Sequence, residues 1–267
     1  MTKKDFTAKA REFSTQAKAE KFDGYFQLHA PRLFHCCKLF ELFSRPLGNV
    51  LEIGPFYGYI PLLLRKNASS YLVLEGPDPA VYPLGDVYQK EGINLSYVDF
   101  FDVFGPTQSA PHRLEIPDSH FDTILCWETM EHFNFNPVKF VRELHRVLKP
   151  GGQVCVTVPN KASLQTVTAL FSGRGEEAMI DSYFKFENYE SNGKKAFYGF
   201  HWREYSIPEL RKLFLEAGFK VRTCGSFVTF QQHATVGIAR KLSRILISAI
   251  ARIAPRFGTH VYLVAKK

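Results

Sequence analysis

After Glu216 the 267-residue sequence contains no acidic residue. Nine basic ones stand in that tail: Lys220, Arg222, Arg240, Lys241, Arg244, Arg252, Arg256, Lys266 and Lys267. Upstream of it basic and acidic residues nearly balance, so the net charge of +8 belongs to the C-terminal end. Charge so placed argues for a local anionic contact and against a nucleic-acid-binding surface over the whole molecule. Cysteine is also scarce. Cys36, Cys37, Cys126, Cys155 and Cys224 are odd in number and show no CxxC spacing, which speaks against a disulfide framework or a zinc site. Cys126 and Cys155 fall in apolar runs and read as buried thiols, and a cytoplasmic compartment is expected. No uncharged apolar run is long enough to span a bilayer. Met1-Thr2-Lys3-Lys4-Asp5 leads into a charged helical stretch and not an apolar signal.

What is present suits one elaborated globular domain: 45% of the residues are hydrophobic, enough for a sizeable core. Residues 1–48 read as a helical cap, with Phe6, Phe13, Phe22, Phe26, Phe34 and Phe40 forming a stripe for core packing. From Asn49, strand-like runs (50–53, 71–75, 95–99, 121–127, 153–158) alternate with helical ones (60–66, 137–148). Such alternation predicts a parallel, doubly wound sheet over 49–267. Two segments interrupt it. Residues 159–205 are polar and rich in aromatics, as expected of a lid or binding loop. Residues 228–258 separate the strand candidates 219–223 and 260–264.

In an open parallel sheet ligands bind beyond the carboxyl ends of the strands. Glu52-Ile53-Gly54-Pro55-Phe56-Tyr57-Gly58 sits at such an end, before a helix N-terminus. Glu75 ends the next strand, where a carboxylate can accept hydrogen bonds from both hydroxyls of a ribose. A nicotinamide dinucleotide would serve this much equally well. The stretch HFDTILCWETMEHF…FVRELHRVLKPGGQVCVTVPN, followed by HWREYSIPELRKLFLEAGFKV, resembles the class I S-adenosylmethionine-dependent methyltransferases, in the branch with ubiquinone-biosynthesis-like and sugar- or lipid-modifying members. The resemblance runs from Val50 to Val221 and includes the last strand.

The resemblance implies a Rossmann-like, seven-stranded sheet with an antiparallel last strand, and S-adenosylmethionine as cofactor. Gly54 and Gly58 are assigned to its methionine end, Glu75 to the ribose, Asp99 with Phe100 to the adenine, and the backbone near Trp127 to the amino group. Glu52 and Phe56 complete this set. The family usually has a third glycine where Phe56 stands, and a small polar residue where Trp127 stands. Phe56 is expected to keep a negative φ and point away, leaving the unusual dihedrals to Gly54 and Gly58; turned inward, it would exclude the cofactor. An extra stretch, 101–113, lets Asp102 compete with Asp99.

Methyl transfer needs an in-line nucleophile at close range, and an oxygen acceptor gains from a base. His201, His132 and Glu131 are the catalytic candidates, each with a structural role as the alternative; Glu128 could orient either histidine or bind substrate. Tyr183, Tyr198, Trp202 and Arg203 are candidate acceptor contacts. HExxH is absent and the cysteines are scattered, so metal-independent transfer is expected. The acceptor expected is a small-molecule, sugar or lipid-linked hydroxyl. A non-catalytic S-adenosylmethionine sensor and a membrane-associated scaffold are the alternatives.

The stretch 236–253 adds a further partner. At about 100° per residue, Gly237, Arg240, Lys241, Arg244, Ser248 and Arg252 fall within an arc of roughly 120°. Ile238, Leu242, Ile245, Leu246, Ala249, Ile250 and Ile253 fill the opposite side. Such a helix suits an anionic membrane surface, peripheral at the inner face, or lays its apolar side on the core or on a partner subunit.

Overall fold

A computed structural model describes all residues except 17–19, 57–58, 78–83, 107–110, 174–179, 181–183, 185–189, 192–193, 196–199 and 232–236; at 14, 16, 20–23, 190–191, 194–195 and 238–240 it describes the backbone alone. Two helices, α1 (Lys3–Gln16) and α2 (Glu20–Leu39), precede β1 (Gly48–Ile53) and α3 (Ile60–Leu64). Then come β2 (Ala68–Glu75), α4 (Leu84–Lys90), β3 (Asn94–Tyr97), α5 (Phe100–Phe104), β4 (Phe121–Trp127), α6 (Pro137–Val147) and β5 (Leu148–Pro159). The remainder is α7 (Leu164–Phe171), a two-residue hairpin β6 (Glu190–Ser191) and β7 (Lys194–Lys195), α8 (Ile207–Glu216), β8 (Lys220–Phe227), α9 (Ile238–Ile253) and β9 (His260–Lys266).

Seven strands form one sheet in the order β3-β2-β1-β4-β5-β9-β8. β9 runs antiparallel to both β5 and β8, and the other pairs are parallel. This is the α/β Rossmann-like architecture with its antiparallel last strand. Successive strand residues point to opposite faces, and the core divides accordingly. Val50, Val73, Leu125 and Trp127 pack with α1 to α4, where Phe6 and Phe26 of the aromatic stripe are fully buried. Leu51, Ile53, Ile124 and Cys126 pack on the other face with α5, α6 and α8. The termini of the covering helices are set locally. Asn136 caps α6 by accepting from the Val138 N–H, with Pro137 at the first position, and Ser206 and Glu209 form a capping box on α8.

Candidate active site

Strand order reverses between β1 and β4, the position where open α/β sheets bind ligands. Two residues with full side chains take left-handed backbone conformations on either side of it: Phe56 (φ 51°) after β1 and Glu128 (φ 49°) after β4. Each costs on the order of 1–3 kcal/mol, and persists because its surroundings over-determine it.

For Phe56 those surroundings are specific. Its N–H donates to Glu75 Oε2 at 2.7 Å, and its ring meets Tyr25 of α2 edge-on at 5.3 Å. The expectation of a negative φ at Phe56 is therefore corrected: the residue in the third-glycine position adopts the backbone a glycine would, held by the acid of the next strand. Gly54 is left-handed as expected (φ 62°), and a Cβ there would lie 2.7 Å from the Thr129 side chain. Gly58 lies outside the described residues.

Glu75 ends β2 almost fully buried and also accepts from the Gly76 N–H at 3.0 Å. An ionised carboxylate is acceptor-only, which is the chemistry that ribose hydroxyls require. Glu52 lies beneath the loop, 3% exposed, accepting from the Tyr71 hydroxyl. Burial pushes its carboxyl up to about 8, against the lowering effect of that bond. Asp99 caps α5, accepting from the N–H groups of Phe101 (3.0 Å) and Asp102 (3.3 Å). The Phe100 ring packs against Phe133 and Phe140, so its side chain belongs to the core, whereas Asp102 is exposed. The Trp127 ring packs on Phe40, and Thr129 Oγ1 lies 3.1 Å from both the Trp127 and Ile53 carbonyls. The donor set suits S-adenosylmethionine: acceptor-only carboxylates end β2 and follow β3, where a ribose diol and an adenine amine need acceptors.

Glu128 orients neither candidate histidine. Its Oε2 lies 2.8 Å from Arg32 of α2 and 3.1 Å from Nδ1 of His260, at the start of β9. Burial would raise its pKa, but the charges of His260 and Arg32 hold it well below the usual carboxylate range. His29, one turn before Arg32, is pushed down to about 4, first by burial and then by Arg32. Arg32, His29 and His260 are absent from the sequence-based site. The one available signal was an arginine amid the apolar residues of 28–37; the ring opposite Glu128 comes from 132 residues downstream.

Glu131 and His132 occupy a short turn after β4, and here the candidates do come together. The Glu131 carbonyl accepts from the Trp202 N–H at 2.7 Å, which draws the His201 segment over the turn. The His132 and His201 rings stand 5.0 Å apart, and His132 Nδ1 lies 2.8 Å from the Phe200 carbonyl. That contact makes Nδ1 the donor and leaves Nε2 bare in the neutral ring, 3.9 Å from Glu131 Oε1. Burial, then the neighbouring His201, push His132 down to about 4. Burial, then the Glu128 charge, push Glu131 well above its ordinary value, and its buried Oε2 has no hydrogen-bond partner among the described residues. His201 is exposed, with Nδ1 3.3 Å from Glu204 Oε1. One ligand-type atom from each of Glu131, His132 and His201 falls within 4.8 Å of the others, so the three could also hold a cation.

A cavity of about 560 Å³ is lined by none of these three residues and meets the cluster through Glu204, the partner of His201. Its walls include His29 and Arg32 of α2, Asn160 after β5, Thr166 of α7, Glu204, Arg244 of α9 and His260. Asn160 is 2% exposed and donates to the Arg256 and Gly258 carbonyls at 2.9 and 2.6 Å, tying the approach to β9 onto the cavity wall. Of the expected acceptor contacts, Tyr183 and Tyr198 lie outside the described residues. Trp202 stacks on Phe200 at 5.2 Å, and Arg203 sits over Tyr205 at 5.3 Å.

A family model described as a methyltransferase domain matches residues 26–223. A chain of Mycobacterium tuberculosis named as a probable S-adenosylmethionine-dependent methyltransferase is 29% identical over 180 residues. That stretch is 67% of this chain but spans only 52% of the relative, so the match covers about half of its length. Among solved structures, a chain from the complex titled as between the Haloferax volcanii Trm112 methyltransferase activator and "the putative methyltransferase" superposes with a TM-score of 0.60 at 18% identity, covering 96% of this chain and 97% of that one. The [4+2]-cyclase SpnF superposes with a TM-score of 0.53 at 16% identity, covering 89% and 81%. At such identities these structures speak for the fold alone. The match over 26–223 and the donor set at the strand ends lead to one conclusion: the chain belongs to the methyltransferase-domain family, among the class I S-adenosylmethionine-dependent methyltransferases.

Proposed function

We propose that the protein transfers a methyl group from S-adenosylmethionine to a hydroxyl of a small-molecule, sugar or lipid-linked acceptor held in the cavity beside β5 and β9. Bound at the loop, the cofactor supplies an electrophilic methyl on a sulfonium. The chain's own residues orient the acceptor and take its proton. One observation carries the reading: His201 joins its Nδ1 to Glu204, and Glu204 lines the cavity. A carboxylate at Nδ1 fixes the tautomer and leaves Nε2 as proton acceptor. His132, fixed by the Phe200 carbonyl, holds the position of His201. Arg32 and His260 give the cavity wall polar groups for an oxygen-rich acceptor, and Asn160 holds that wall in place.

The test is turnover, followed as S-adenosylhomocysteine release over a panel of sugars and lipid-linked glycosides. His201→Ala should abolish turnover with cofactor affinity retained; His132→Ala should lower it less. A His201→Ala enzyme of near-normal rate removes the base from this position. The sensor reading keeps one observation in its favour, a phenylalanine in a glycine position of the loop. Calorimetric binding of S-adenosylmethionine with no release over the panel would select it.

A further inference from the structure

Helix α9 sits on the domain by the side that carries Arg244, Ile247 and Ser248. Ile247 is buried, Arg244 and Ser248 are half-buried, and Arg244 lies over the Phe230 ring at 5.2 Å while donating to the Gln231 carbonyl. The opposite side is apolar and faces water: Leu242, Ile245, Leu246 and Ile253 are 61%, 65%, 58% and 88% exposed. The sequence left open that this side covers the domain's own core, and the structure removes that option. At about 100° per residue, Lys241 and Arg252 border the apolar face, and both are exposed. Leu170 and Phe171 of α7 are exposed as well, and α7 and α9 both contribute walls to the cavity.

We propose that this face of α9 docks on an anionic membrane, its leucines and isoleucines in the boundary between headgroups and acyl chains and Lys241 and Arg252 against lipid phosphates. Charge selects this occupant. Contiguous apolar residues beside cations, with no acid after Glu216, match a surface that is greasy within and negative at its border. A second copy meeting through the same face would bring two sets of these cations to one interface, with no acid in the tail to offset them. Among the described residues no helix is long and apolar enough to cross a membrane, so the attachment is interfacial. The inference rests on the acceptor reading for one consequence only, that a lipid-linked acceptor reaches the cavity from the bilayer; the docking itself does not need it.

Cosedimentation of the full chain with vesicles tests it, using pure phosphatidylcholine and phosphatidylcholine mixed with phosphatidylglycerol, at low and high salt. The expected result is recovery with the mixed vesicles only, weakened by salt. Charge reversal at Lys241 and Arg252 to Glu should cut partitioning about tenfold or more. Ile245→Ser with Leu246→Ser should abolish it. These side chains are exposed, so both variants should fold, which unchanged calorimetric binding of S-adenosylmethionine verifies. Recovery in the supernatant with every lipid overturns the proposal, as does equal, salt-independent binding to neutral vesicles. A dimer in analytical ultracentrifugation that the serine variant dissociates, with no vesicle binding, would overturn it in favour of contact between copies. Since no arm measures methyl transfer, failure here leaves the His201 test untouched.

Discussion

Replacing Glu75 probes the cofactor loop from beneath. Its carboxylate accepts the Phe56 N–H at 2.7 Å and the Gly76 N–H at 3.0 Å, and is assigned the ribose hydroxyls. Hydrogen bonds to an ionised group are each worth roughly 1.5–3 kcal/mol. In Glu75→Ala the ribose contact goes, which alone weakens binding about tenfold or more. The Phe56 N–H loses its acceptor too, so a left-handed residue loses what holds it, and the loop must re-form that geometry at the moment of binding. The two losses together should raise the dissociation constant roughly a hundredfold. A stability loss of about 1.5–3 kcal/mol should lower the melting temperature by about 3–12 °C for a domain of this size. A ribose contact by itself accounts only for the binding defect; the bond from Phe56 adds the stability cost. Glu75→Gln separates them, because its amide oxygen can still accept from Phe56: melting should largely recover and affinity should not. Calorimetry and thermal denaturation read the two quantities. An alanine variant with unchanged affinity removes Glu75 from the cofactor site, and one with unchanged melting refutes the account of the loop.

Glu128→Gln leaves Arg32 and His260 without their carboxylate; removing one partner of a buried pair costs about 3–5 kcal/mol, to be read by urea unfolding. Because the Glu128 pKa is depressed in the folded state, its contribution is present above the unfolded value of about 4.3 and fades as pH falls below it, so the gap to wild type should close in acid. Glu52 has the opposite sign. Its folded carboxyl, near 8, holds a proton that the unfolded chain releases, so wild-type stability should decline as pH rises from about 4.3 towards 8. Glu52→Gln, whose amide oxygen can still accept from Tyr71, should flatten that decline; denaturation at both ends of the range checks it, and a pH-independent gap counts against it. On the proton-acceptor reading of His201, turnover should survive dialysis against a chelator. Activity lost on dialysis and restored by a divalent metal would assign Glu131, His132 and His201 to a cation instead.

The sheet was readable because its signals are local. Apolar runs of strand length alternate with helical periodicity, and Asn136-Pro137 announces the start of α6. The helices α4 and α5, seven and five residues long, escaped that reading, whereas the equally short α3 was legible from its unbroken apolar run after Tyr59. In the site, residues fixed by backbone position were legible, so Glu75 stands at its expected strand end. Conformation at Phe56 and Glu128 was not, since no residue-type preference announces a left-handed phenylalanine or glutamate. Nor was the grouping of Arg32, Glu128 and His260, which share no local pattern and meet only when α2 and β9 close on the end of β4. His132 and His201 could be named from the sequence, but their 5.0 Å separation is a product of the Glu131–Trp202 backbone bond.

Phe227 and His260 face each other across β8 and β9. Everything between them, α9 included, leaves the sheet and returns to it at a single rung, where strands stand about 4.8 Å apart. A loop with ends fixed so close can change its length and content at little thermodynamic cost, about 0.6 kcal/mol for each doubling, and without disturbing strand order. The family match stops at residue 223, before this departure point. The outward apolar helix can therefore be shortened or replaced without moving the strand ends from which the cofactor loop and the Glu128 turn depart.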